Sequence, residues 1–169
     1  PRYISTVDSG NLAGHLLTLR AGIAALADAP ILAARLFDGM ADTVELIDET
    51  AAGMASPVQA ALRAFRRELA VATTRVGPVN LVAVHARLQR LAVAAADLVA
   101  MVGFHDAATE AGEWARALDR QCRQARDDIV FLAPWLSLPT APAGLDLVGL
   151  LPDGGIPSLR ALAVDDADL

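Results

Sequence analysis

The sequence predicts an all-α fold: a bundle of about five helices followed by an irregular tail rich in proline and glycine. Hydrophobic residues make up 54% of the 169 residues and aromatic residues only 4%, because alanine and leucine dominate, and this bias favours helix over sheet. Apolar residues also recur at intervals of three and four over five long stretches. The short connections between these stretches are typical of helices that pack up and down against their neighbours.

The first helix is predicted over residues 9–27, where apolar residues are spaced four, three, four and three apart. Side chains with that spacing form one apolar stripe along the helix. Pro30 ends the helix, because proline cannot continue a preceding helix without the loss of a hydrogen bond. The stripe consists of Leu12, Leu16, Leu19, Ile23 and Leu26.

Four further helices are predicted over residues 31–52, 57–73, 79–102 and 107–132. We expect a kink at Asp38-Gly39, a stop at Gly53, and helix caps at Ser56 and Asp106. The residues predicted to face the core are Leu32, Leu36, Met40, Val44, Ile47, Val58, Leu62, Phe65, Leu69, Val84, Leu88, Leu91, Ala95, Leu98, Val102, Trp114, Leu118, Cys122, Ala125, Ile129 and Leu132.

From Ser137 onward, prolines and glycines alternate with leucines. We interpret this part as a turn-rich tail with short helices near residues 145–151 and 158–163 and a frayed acidic end. The sequence therefore divides into a motif segment with the first helix (residues 1–27), a helical bundle (28–136) and an irregular tail (137–169). Because the chain begins at Pro1 and not at methionine, we interpret it as a piece of a longer protein.

Charge and hydropathy exclude several classes of partner. The net charge of −6, with 14 dispersed arginines and no lysine, disfavours a nucleic-acid surface. Mean hydropathy is positive, but the longest uncharged run is interrupted by Pro134, Pro139 and Pro142, so we expect a soluble chain without direct membrane insertion. The single cysteine, Cys122, excludes an internal disulfide and is interpreted as a small core residue.

The candidate site is the start of the first helix, where Asp8, Ser9 and Asn11 stand together. One interpretation is capping, since a helix N-terminus leaves N–H groups that such side chains can satisfy. The other is a polar cleft that Asp8 and Asn11 line, with Gly10 and Gly14 allowing close approach to the backbone. His15 follows Asn11 by one helical turn and either lines the same cleft or packs.

The evidence for other functional sites in the sequence is weaker. The histidines lack the spacing of metal ligands, and no cofactor or metal is expected. Trp114 is predicted to be core, and Trp135 to be either a hydrophobic plug or a platform for a sugar. Three acidic pairs and one basic cluster are interpreted as helix surface, without a catalytic role: Glu110 and Glu113, Asp127 and Asp128, Asp42 and Glu45, and Arg63, Arg66 and Arg67.

The N-terminal segment resembles a motif of bacterial cyclic β-1,2-glucan synthases. The residues that carry the resemblance are Pro1-Arg2-Tyr3-Ile4-Ser5-Thr6-Val7-Asp8-Ser9-Gly10-Asn11-Leu12-Ala13-Gly14-His15-Leu16. Looser similarity extends to Gly39-Met40-Ala41-Asp42-Thr43 and Ala133-Pro134-Trp135-Leu136. These synthases are very large inner-membrane enzymes in which a glucoamylase-like middle region follows a glycosyltransferase.

The resemblance implies that the parent makes cyclic β-1,2-glucan and that this chain is a non-catalytic part of the ring-closing middle region, on the cytoplasmic side. That region would be an (α/α)6 barrel whose catalytic glutamates lie downstream. Asp8, Ser9 and Asn11 would line the glucan cleft, and other domains of the same polypeptide would be partners. The alternative is a helical scaffold domain that mediates contacts between domains or between copies.

Overall fold

The computed structural model describes residues 5–32, 35–73, 80–106, 109–138 and 155–165. The helices are α1 (Thr6–Asp28), α2 (Arg35–Thr50), α3 (Ser56–Thr73), α4 (Leu81–Asp106), α5 (Glu110–Leu132) and α6 (Leu159–Asp165), with a short 3₁₀ helix over Pro134–Ser137. No strand occurs in these ranges, apart from one isolated bridge pair between Pro30 and Ser158. The predicted all-α class is confirmed.

Backbone contacts divide the chain into two units, one formed by Pro1–Ile31 and Pro157–Leu169 and the other by Leu32–Ile156. The larger unit is a bundle of α2, α3, α4 and α5, in which each helix packs against the next and α5 returns to α2. Ion pairs join neighbouring helices, from Arg66 of α3 to Asp48 of α2 and from Arg90 of α4 to Glu68 of α3. The bundle thus holds four of the five predicted long helices.

The core of the bundle follows the predicted periodicity. Most of the predicted positions are buried, from Met40, Val44 and Ile47 through Val84, Leu88 and Leu91 to Cys122 and Ile129. Four predicted positions are half-buried instead: Leu32, Leu36, Trp114 and Leu132. Trp114 was expected to be core, but its Nε1 lies 3.5 Å from Oε1 of Glu110, at the edge where its N–H finds a polar partner.

The ends of α4 and the start of α5 differ from the prediction. Asn80 caps α4, since its Oδ1 accepts from the amide of Ala83 at 2.8 Å. The predicted cap of α5, Asp106, is wrong: α4 continues through Gly103 to Asp106, and the cap is Thr109, whose hydroxyl accepts from the amide of Gly112. Because threonine is nearly as good a cap as aspartate, composition alone could not choose between them.

At Asp38 and Gly39, where we predicted a kink, α2 is continuous. A side chain at Gly39 would lie 3.3 Å from Nε2 of Gln121 on α5. The glycine therefore provides room for α5 to approach, which is a packing role and not a hinge. Gly53 has a φ of +86°, in agreement with its predicted role as the stop after α2.

In the smaller unit, α6 packs against α1. The amide of Ile31 donates to the carbonyl of Pro157 at 2.9 Å, and Arg160 forms an ion pair with Asp28. The predicted helix near residues 158–163 is confirmed as α6, with Oγ of Ser158 accepting from the amide of Ala161. The short helix predicted near residues 145–151 and the acidic residues 166–168 lie outside the described residues.

The apolar stripe of α1 is exposed to solvent, and none of the residues of this helix is buried. Its five members are 55–66% exposed. The periodicity predicted the stripe correctly, but it did not predict that the stripe is exposed. None of the helices in the described ranges is long and apolar enough to cross a membrane.

Candidate functional site

The polar residues at the start of α1 do not cap the helix, because Ser5 does. Ser5 has an extended backbone, and its Oγ accepts from the amide of Asp8 at 3.2 Å. The helix therefore begins at Thr6 and not at Ser9 as predicted. A signal was in the sequence, because serine is among the preferred N-cap residues, and in the structure the helix includes Thr6 and Val7 despite their β propensity.

With the cap supplied by Ser5, the side chains of Asp8 and Asn11 are available for a ligand. Neither makes a side-chain hydrogen bond within the part of the chain that the structure describes, and both are exposed. Asp8 lies in the first turn, where its negative charge interacts favourably with the helix dipole. Helix capping therefore does not explain the presence of polar residues at positions 8 and 11.

His15 lies on the same side of the helix. Its Nδ1 is 2.8 Å from the carbonyl oxygen of Asn11. A carbonyl can only accept, so Nδ1 carries the proton in this arrangement and donates it, and Nε2 is the nitrogen left to face outward. At 100° per residue, Asp8, Asn11 and His15 fall within an arc of about 60° and extend over roughly 10 Å of the helix axis. We call these three residues the polar ribbon.

Ser9 does not belong to the polar ribbon. It lies about 100° from Asp8 around the helix, and its hydroxyl donates to the carbonyl of Ser5 at 2.8 Å. The space above Gly10 and Gly14 is open, because a Cβ atom added at either glycine would meet nothing within 4 Å. Close approach to the backbone there is sterically possible, although both glycines lie beside the ribbon and not within it.

The remaining candidates lie on exposed helix surface. All six residues of the predicted acidic pairs are exposed, and so are the three arginines of α3. Asp127 pairs with Arg126, and Asp128 accepts from Gln124. No group of three or more potential metal ligands occurs among the described residues.

Cys122 is fully buried on α5. Burial, with a smaller contribution from the nearby charge of Asp119, raises the pKa of its thiol to about 12. A thiol with so high a pKa is neither a nucleophile nor a metal ligand at neutral pH. The prediction that Cys122 is a small core residue is confirmed.

One surface feature was not predicted. An open groove of about 480 Å³ lies between α3 and α4, and its lining combines small apolar residues with charged ones. Its lining has no aromatic residue on which a sugar ring could stack. The lining residues are Ala64, Arg67, Glu68, Ala86, Gln89, Arg90, Val93, Ala94 and Asp97.

Comparison with known proteins finds a distant relative. The cyclic β-(1,2)-glucan synthase NdvB of Rhizobium meliloti (strain 1021) is 31% identical to this chain over 153 residues. The match covers 78% of the chain but 5% of the synthase, so the chain spans about one twentieth of the length of that protein. No family model and no solved structure matches. The chain is therefore distantly related to this glucan synthase.

Proposed function

We propose that this chain is a segment of a cyclic β-1,2-glucan synthase and that the polar ribbon of α1 contributes to its glucan-binding cleft. The relationship to the Rhizobium meliloti synthase supports the first part. The observation that carries the second part is the availability of Asp8 and Asn11, whose capping role is taken by Ser5. The segment would belong to the middle, ring-closing region of an inner-membrane enzyme, on its cytoplasmic side.

The chemistry of the ribbon suits a polyhydroxylated chain. A carboxylate accepts hydrogen bonds, a carboxamide both donates and accepts, and the Nε2 atom of His15 faces outward as a further polar group. Glucan hydroxyl groups can both donate and accept, so a row of such groups over roughly 10 Å could hold more than one hydroxyl at a time. The (α/α)6 barrel implied by the resemblance would place α1 in the wall of the cleft, beside other domains of the same polypeptide.

In this proposal the polar ribbon binds glucan but does not cleave glycosidic bonds. Glycoside chemistry needs two carboxyl groups about 5 to 9.5 Å apart on either side of the scissile bond. The described part of α1 has two acids, Asp8 and Asp28, which are separated by about 30 Å of helix. Asp8 therefore has no second acid on α1 at that distance. The resemblance puts the catalytic carboxyl groups of the synthase outside this segment, so the isolated chain should not transfer glucan.

The test is substitution in the complete synthase that carries this segment. Asp8→Asn and Asn11→Ala should each lower ring closure on linear β-1,2-glucan at least about fivefold, mainly through weaker binding, because each removes one or two hydrogen bonds. Arg20→Gln is the control, since Arg20 is exposed on the same helix and lies more than 100° from the ribbon. Unchanged ring closure in both ribbon variants would refute the proposed role of the ribbon.

A further inference from the structure

The smaller unit is formed by two segments that are far apart in the sequence, Pro1–Ile31 and Pro157–Leu169. The chain between them, Leu32–Ile156, forms the bundle. The two segments meet where they adjoin the bundle, because the amide of Ile31 donates to the carbonyl of Pro157 at 2.9 Å. The chain therefore leaves the smaller unit and returns to it at neighbouring points.

We propose that the bundle is a domain inserted into the unit that carries the polar ribbon, and that this unit does not need the bundle in order to fold. An insertion of this kind requires a segment with its own hydrophobic core and with ends that lie close together. Both requirements are met. In the described part of the chain every buried hydrophobic residue lies within the bundle, between Phe37 and Ala133.

Three kinds of contact join the two segments of the smaller unit. Helix α6 packs against α1, Pro30 and Ser158 form the bridge pair, and Arg160 pairs with Asp28. An ion pair with both partners exposed contributes little, so helix packing and backbone pairing hold the segments together. None of these residues belongs to the bundle, and its removal would leave all three contacts in place.

Burial indicates which of the two units is the host. None of the residues of α1 is buried, and a helix in a protein gains most of its stability from tertiary packing. In the proposed synthase that packing would come from the rest of the longer polypeptide. The bundle has a core of its own instead, in which Phe65, Leu88 and Leu118 are fully buried, as expected for an inserted domain.

The two units then have different roles in ring closure. The polar ribbon belongs to the host, so glucan binding is expected of the host and not of the bundle, which would be an accessory domain of the synthase. This division of roles rests on the proposed function of the ribbon. The insertion itself rests only on the contacts and the burial described above.

The test is removal of the bundle from the complete synthase that carries this segment. Leu32–Ile156 is replaced by the linker Gly-Ser-Gly, because a loop of three residues can join two strands that already pair, as Ile31 and Pro157 do. The shortened enzyme should accumulate to the level of the unaltered one, unfold at a similar temperature and close rings at a rate within about twofold of it.

A smaller deletion within the bundle is the matched control. Removal of residues 80–133 takes away α4 and α5 and leaves α2 and α3 without these partners. Side chains such as Ile47 and Leu62, which are buried in the intact bundle, would then be exposed to water in part. This variant should aggregate or be degraded, so the smaller deletion should be the more harmful one.

Two results would overturn the proposal. A shortened enzyme that aggregates or is degraded, as the control does, would show that the host needs the bundle in order to fold. A shortened enzyme that is folded but no longer closes rings would show that the bundle takes part in ring closure. The ribbon is tested separately: if Asp8→Asn leaves ring closure unchanged while the shortened enzyme is folded and active, the insertion stands and the proposed role of the ribbon fails.

Discussion

Two valines on α4 provide a direct test of how the bundle is packed. Val84 is 1% exposed and Val93 is 63% exposed. The same substitution, valine to alanine, removes the same atoms from both positions. The helix propensity also changes by the same amount, since alanine is favoured over valine by about 0.5 kcal/mol in either place. The difference between the two variants therefore isolates burial.

The expected magnitude follows from that burial. Valine to alanine removes the equivalent of two methylene groups, which at about 0.8 kcal/mol each gives about 1.6 kcal/mol of lost transfer free energy at Val84. The cavity left in a packed core adds to this cost, because neighbouring side chains relax only in part. We expect Val84→Ala to lower the free energy of unfolding by about 2 kcal/mol relative to Val93→Ala, which should itself be neutral or slightly stabilising.

Urea denaturation followed by circular dichroism at 222 nm measures this difference. With a slope of about 2 kcal/mol per molar urea, the two midpoints should differ by about 1 M. Midpoints within about 0.25 M of each other would show that α4 does not turn Val84 toward the core. That result would refute the rotational setting of α4, and with it the assignment of Leu88 and Leu91 to the same face.

Three further results are expected. Burial, and then the charge of Arg126, lower the pKa of His85 below 6.5, so below about pH 6.5 the unfolded chain binds a proton on His85 more readily than the folded chain does. The contribution of His85 to the free energy of unfolding should therefore be constant above about pH 6.5 and should become destabilising as the pH falls toward the pKa of the folded state. His85→Leu should remove this part of the pH dependence in urea titrations. Cys122, buried with a pKa of about 12, should react with a disulfide reagent at neutral pH only after urea unfolds the chain, and rapid labelling of the native chain would contradict its burial. Ser5→Ala should destabilise the first turn of α1 by about 1 kcal/mol, seen as roughly fivefold faster hydrogen exchange, whereas Ser5→Asp should keep the cap and the slow exchange.

The bundle could be predicted from the sequence because local periodicity and tertiary packing agree there. The spacing of Leu62, Phe65 and Leu69 on α3 gives one apolar face, and the structure buries that same face. Phe37 is also buried, although it is not among the residues predicted to face the core. An aromatic side chain can reach the core from a neighbouring position. Periodicity alone therefore predicts which face of a helix is buried better than it predicts which residues belong to that face.

The helix ends were harder to predict for a physical reason. Several residues near each end can supply an acceptor, and the choice depends on which backbone is extended at that point. Asp8, Ser9 and Asn11 are all good caps by composition, yet Ser5 holds the extended conformation and caps α1. This matters for the proposed site, because moving the cap by three residues leaves the side chains of Asp8 and Asn11 without a capping role.

The apolar stripe of α1 shows what periodicity cannot decide. A stripe of leucines predicts that a helix covers that face, but the pattern is identical whether the covering helix belongs to the same chain, to a second copy or to a longer polypeptide. In the bundle the cover is provided within the chain, and in α1 the stripe is exposed. Periodicity therefore predicts which face of a helix is apolar, but what covers that face depends on residues that are distant in the sequence.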